Sequence, residues 1–128
     1  MRSMFRPLLA IVTAALALSG AGGSSRSSTA SCPQGALPLL ANSIAPASRA
    51  ALAREKPSSR GQVTGALFAS TDTERGAPAR TQCGRRIWKR TVVVYIDLRA
   101  FHPSASLSER VSYVARFRRG YRVWQIVH

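Results

Sequence analysis

Two cysteines, five carboxylates, two histidines and a large excess of arginine are the side chains in this sequence that can do chemistry. Cys32 and Cys83 are the whole cysteine complement. An even count in an exported chain points to a disulfide. The bond would close a loop of about 51 residues and stabilise the fold by up to roughly 4 kcal/mol in the chain-entropy picture. The competing chemistry is a cysteine nucleophile, which needs a histidine beside it. Only His102 and His128 are present to serve.

The acids are Glu55, Asp72, Glu74, Asp97 and Glu109. Cleaving a glycosidic bond takes two carboxylates flanking it, one of them held protonated. Asp72 and Glu74 share the run Thr71-Asp72-Thr73-Glu74, where such residues commonly build a turn instead. Asp97 sits inside the best strand pattern and reads as a cross-strand partner for an arginine. No HExxH or CxxC groups the histidines or cysteines, so no metal is expected. Ser104, Ser106 and Ser108 have no G-x-S-x-G setting, and no glycine loop suited to phosphates appears. No cofactor is expected.

The arginines fall into two clusters. Arg85, Arg86, Lys89 and Arg90 surround Trp88. Arg116, Arg118, Arg119 and Arg122 stand beside Phe117, Tyr121 and Trp124. Arginines interleaved with aromatic rings can hold anions and stack on planar groups. They can equally decorate a solvated hairpin whose rings pack inward. Arg119-Gly120-Tyr121 opens like an RNA-recognition signature, but Arg122 stands where that signature wants a small residue. The formal charge of the chain is +14. Such a field attracts polyanions and anionic surfaces. The preponderance of arginine over lysine, with much alanine and glycine, also fits a GC-rich genome.

The start of the chain sets the compartment. Arg2 and Arg6 precede the apolar run Leu8 to Leu18, and small residues follow from Ser19. A run of about eleven residues spans about 16 Å as a helix, roughly half a bilayer's hydrocarbon core. It therefore reads as a cleavable secretory signal over residues 1–21, cut after Ala21, rather than as a membrane span. The arginines are not adjacent, which argues against a twin-arginine signal. Thr29-Ala30-Ser31-Cys32 resembles a lipobox but has Thr29 where leucine is usual. Residues 22–31 read as a flexible Gly/Ser linker, and residues 32–128 as one domain. Export makes intracellular nucleic acid an unexpected partner. An anionic cell-wall polymer or an extracytoplasmic protein suits the charge better.

The elements that must position these groups follow from periodicity. Apolar residues from Ala36 to Leu52 recur at helical spacing, interrupted by Pro38 and Pro46. The expectation is a short helix near 34–43, a kink or split at Pro46, and a better helix to about Glu55, with Ser43 as its cap. After Gly61 the period becomes two. Strands are expected over 62–70, with Val63, Leu67 and Ala69 on one side, and over 79–86, with Gly84 as a bulge or turn. Further strands are expected over 91–101, 109–118 and 121–127, the last two joined by a tight turn at Arg119-Gly120. Val92, Val94, Ile96, Leu98 and Ala100 form an unbroken apolar face. A helix followed by four or five antiparallel strands makes an α+β domain, the helix packed on one sheet face.

That order resembles the cystatin-like and nuclear-transport-factor-2-like folds, a helix wrapped by a curved sheet. The run Val114-Ala115-Arg116-Phe117-Arg118-Arg119-Gly120-Tyr121-Arg122-Val123-Trp124-Gln125-Ile126 resembles the final hairpin of the latter group. Cys83 to His128, with Thr91-Val92-Val93-Val94, Pro103-Ser104-Ala105-Ser106-Leu107-Ser108 and Tyr121-Arg122-Val123-Trp124, resembles small exported proteins of unknown function from GC-rich Gram-positive bacteria. The resemblance covers about a third of the chain and implies no activity. Three function classes stay open on the residues alone. One is an exported, disulfide-stapled binding or accessory domain for an anionic partner. Another is a small enzyme whose pocket Tyr95, Asp97, Tyr113 and Trp124 would line. The third is an inhibitor-like module that binds protein through strand edges or loops.

Overall fold

A computed structural model describes residues 31–102 and 108–128. The expected signal peptide over 1–21 and all of the expected linker except Ser31 lie outside the described residues. The rest is α+β. Helix α1 (Ile44–Ala53) is followed by β1 (Gly61–Phe68), α2 (Ala77–Trp88), β2 (Thr91–Leu98), β3 (Glu109–Phe117) and β4 (Gly120–Val127). The four strands form one antiparallel sheet in the order β1-β2-β3-β4.

Pro46 does not split the first helix. It is the third residue of α1, in the first turn, where its missing N–H has no intrahelical acceptor to lose. Residues 34–43 are not a helix. Leu37 precedes Pro38, which favours an extended backbone, and its N–H reaches the carbonyl of Arg116 at 2.7 Å. Ser43 precedes the helix but caps nothing with its side chain. Its hydroxyl instead accepts the Leu40 N–H at 2.8 Å and shares a 2.7 Å hydrogen bond with the Tyr121 hydroxyl.

Alanine explains how α1 approaches the sheet. Ala47 and Ala51, one turn apart, are fully buried against Val92, Val94, Ile96, Leu98 and Val114. Methyl side chains let the helix backbone come close, and each buried branched side chain beneath contributes roughly 1.5–3 kcal/mol. At the end of this face Arg110 pairs with Glu55 at 2.7 Å, the glutamate side chain being 3% exposed.

The expected strand over 79–86 is a helix. Pro78 stands at its start, where proline is favoured. Gly84 breaks it, with φ 85° and ψ 172°. The amphipathic signal was weak because Ala79 is the only buried residue of α2. Ala79 and Trp88 pack on the opposite sheet face from α1, over Val93 and Tyr113.

Strand registers add a second correction. A bulge between Val63 and Gly65 reverses the alternation in β1. Val63 therefore packs on the α1 side with Ala66 and Phe68, whereas Leu67 opposes Val93 on the other face. In β3 the polar series Arg110, Ser112 and Arg116 faces α1, and Val114 is the apolar centre of that series. The sheet is thus covered on both sides near its middle, and Val92, Val93 and Val94 are all buried.

Cys32 and Cys83 form a disulfide with a Cα–Cα separation of 5.5 Å. It ties the segment before α1 to α2. Replacing both cysteines with serine is expected to lower unfolding free energy by about 2–4 kcal/mol, read as a shifted urea midpoint. Gly76 makes a separate test. A Cβ there would collide with the Ala69 and Asp72 carbonyl oxygens, both backbone atoms. Gly76→Ala is expected to cost more than about 2 kcal/mol in the same assay, although φ at this residue is an ordinary −75°.

Candidate functional site

The two arginine clusters share one end of the sheet, but Arg85, Arg86, Lys89 and Arg90 do not line the two clefts beside the β3–β4 hairpin. β2 begins at Thr91 opposite Ala115, and Ala115 opposes Arg122. The residues before Thr91 and the β3–β4 turn therefore share that end. Phe117 pairs with Gly120, which leaves Arg118 and Arg119 as the two-residue tip of the hairpin. Gly120 has φ 127°, a conformation that suits glycine.

The arginines do different work. Arg90 donates from Nη1 to the Ala36 carbonyl at 2.6 Å, and Arg116 donates from Nη1 to the Pro38 carbonyl at 2.9 Å. Both pin the segment that precedes α1. Arg122 stacks over Phe117, its guanidinium carbon 4.0 Å from the ring centroid. Arg85 and Arg86 lie exposed in the last turn of α2, where cations favour a helix C-terminus. Lys89 follows as its C-cap. Arg118 and Arg119 are exposed at the hairpin tip.

The pinned segment and the hairpin enclose two adjoining clefts. One, of about 420 Å³, is walled by Gln34, Gly35 and Leu37 on one side and by Phe117, Arg118, Arg119 and Arg122 on the other. The second, of about 650 Å³, runs between the disulfide segment, α1 and the edge strand β4. Pro33, Ala50, Ala53 and Val123 give it apolar walls, and Arg54 and Arg122 give it charge. Gln34, Phe117 and Arg122 border both clefts. No aspartate or glutamate lines either one. The groove therefore combines arginine side chains with an apolar and aromatic floor. Glu55, Asp97 and Glu109 stand towards the opposite end of the sheet. Arg54 and the walls from residues 33–37 were not among the expected site residues. They come from elements that turn patterns do not link to the hairpin.

The four expected pocket residues share one sheet face but not one cavity. Tyr113 is fully buried and its hydroxyl donates to the Arg75 carbonyl at 2.6 Å. Trp124 packs on it with ring centroids 5.6 Å apart and lines the larger cleft of the groove. Tyr95 lines a different cleft of about 380 Å³ with Thr64, Leu67, Asp72 and Glu74. Asp97 opposes Gln62 and Glu109 rather than an arginine, so the expected cross-strand ion pair is absent.

Asp72 is the carboxylate the structure uses most. It is 6% exposed. Oδ1 accepts the Glu74 and Arg75 N–H groups at 2.9 Å each, and Oδ2 accepts the Tyr95 hydroxyl at 2.5 Å. Burial pushes this carboxyl up, but the hydrogen bonds from Tyr95, Arg75 and Glu74 and the Arg75 charge outweigh it and hold it below the ordinary value. The same burial and the same carboxylate push the Tyr95 phenol well above its usual range. Burial also raises Tyr113. Asp72 thus closes the turn before α2 and fixes Tyr95. Among the described residues no group of histidine, cysteine, aspartate and glutamate side chains is placed to hold a metal ion.

No family model, curated protein or solved structure matches this chain. Among the described residues no helix is long and apolar enough to cross a membrane. The disulfide fits an oxidising, extracytoplasmic compartment.

Because its folded-state value is depressed, ionised Asp72 contributes stability that is present above the unfolded-state value near 4 and is lost as pH falls through the lower folded value. Asp72→Asn is expected to be less stable than the parent at about pH 6, with the difference shrinking as pH falls below about 4. Urea midpoints measured across that range check the sign.

Proposed function

We propose that this chain is an exported, disulfide-stapled binding domain whose groove at the arginine end of the sheet holds an anionic extracytoplasmic partner. An anionic cell-wall polymer is the partner class that fits best. The observation that carries this reading is that Arg118, Arg119 and Arg122 line one cleft and Arg122 and Arg54 the adjoining one, with no carboxylate among the described residues lining either. Charge gathered on one surface without acidic neighbours attracts anions more than the same charge scattered. Arginine also offers a planar fork of donors that suits phosphate and carboxylate oxygens. The bonded cysteines support an oxidising compartment, and the signal-like start of the chain supports export. A helix laid across an antiparallel four-strand meander supports the cystatin-like reading of the architecture, with α2 as an addition on the far face.

Immobilised polyphosphate tests the proposal. The protein is expected to be retained at low salt and released as salt rises, because displaced counterions supply most of such binding. Arg118→Ala with Arg119→Ala is expected to weaken binding by roughly tenfold at low salt and to flatten the salt dependence. Retention that ignores salt, or a double variant that binds like the parent, would show that these side chains hold no anion.

A further inference from the structure

The groove has more apolar wall than a bare polyanion can use. Pro33, Ala50, Ala53 and Val123 line the larger cleft, and Leu37 and Phe117 line the smaller. Ala53 is exposed on α1, and Ala50 is half-buried beside it. A chain of phosphates laid along this surface would meet the guanidinium groups and leave the apolar floor against water. A ligand with an anionic head and an apolar body would use both parts. The volumes, about 420 and 650 Å³, fall in the range of small-molecule clefts.

The position of Arg122 orders the two halves. It borders both clefts, and its exposed side chain stacks over the face of Phe117 at 4.0 Å, a contact that favours this placement. On one side stand Arg118 and Arg119 at the hairpin tip. On the other, the floor runs between α1 and β4 towards the disulfide segment. An anionic head at Arg118, Arg119 and Arg122 would place an attached apolar chain along Ala53 and Val123.

From this we infer that the groove takes a monomeric anionic amphiphile, a phosphate or carboxylate head on a single apolar chain, with the head at the hairpin arginines and the chain in the cleft between α1 and β4. The inference rests on the anion-binding reading above and puts a single-chain amphiphile, in place of a polymer, in the groove.

The test is calorimetry on the full chain purified from an exporting host, at moderate salt. The probes are n-alkyl phosphates from hexyl to decyl, each below its micelle concentration, with inorganic phosphate and decyl maltoside as comparisons. Saturable one-to-one binding is expected, tightening roughly threefold to fourfold per methylene until the cleft is filled. Decyl phosphate is expected to bind at least tenfold tighter than either comparison. Ala53→Trp, which fills the cleft from an exposed helix position, is expected to weaken decyl phosphate at least tenfold, and an affinity for decyl phosphate that this substitution leaves unchanged overturns the inference. Affinity that does not depend on chain length overturns the inference. So does binding to phosphatidylglycerol vesicles without binding of the monomeric alkyl phosphates. If polyphosphate is still retained in those cases, the anion-binding reading survives alone. If neither polyphosphate nor alkyl phosphate binds, both fall.

Discussion

Residues 32–38 contribute little core of their own, yet the groove depends on where they lie. Three ties hold them: the bond from Cys32 to Cys83, the Leu37 bridge to β3, and the two guanidinium groups on the Ala36 and Pro38 carbonyls. Backbone carbonyls at a protein's edge would otherwise be satisfied by water. Here they are the anchor points, because a chain with two prolines and one glycine between Cys32 and Pro38 cannot satisfy itself as a helix. The disulfide reduces the conformational freedom that these few hydrogen bonds would have to overcome.

The sheet supplies the rigid side of the same arrangement. β2 is flanked on both edges by strands and is buried on both faces along its first four residues. α1 seals one face through two alanines, and α2 covers part of the other through Ala79 and Trp88. Unequal cover follows from unequal helices. α1 touches all four strands, whereas α2 is broken at Gly84 and meets the sheet mainly at β2. The hairpin of β3 and β4 therefore projects its arginines from a well-packed base, which keeps the tip geometry defined.

The arginine-rich turn is at one end of the strands, and Asp97, Glu109 and the Glu55–Arg110 pair are towards the other, together with Arg60 and Arg99. Arg90 and Arg116 serve structure, Arg122 is steadied by an aromatic face, and Arg118 and Arg119 stay exposed. A positive surface that is partly committed to holding its own backbone and partly left to solvent can be specific, since the committed members set the positions of the others.

What the sequence determined by itself is what local periodicity and covalent chemistry can carry. The alternation in Thr91–Leu98, Glu109–Phe117 and Gly120–Val127 makes three strands legible, whereas the last turn, expected at Arg119-Gly120, is formed one residue earlier by Arg118 and Arg119 because Gly120 already pairs with Phe117. Two cysteines marked a bond that any fold would have to accommodate. Local pattern misled where one residue changes the phase: the bulge after Val63, the first-turn place of Pro46, and a helix whose only buried residue is Ala79. The helix-facing side of β3 was hidden for the same reason, since Arg110 and Arg116 find Glu55 and Pro38 only in three dimensions. The placement of the two arginine clusters at one end of the sheet, and the use of residues 33–37 as a wall, were decided by tertiary structure alone. Both depend on antiparallel registers and on a bond across 51 residues, and side chains that far apart have no signature in neighbouring sequence.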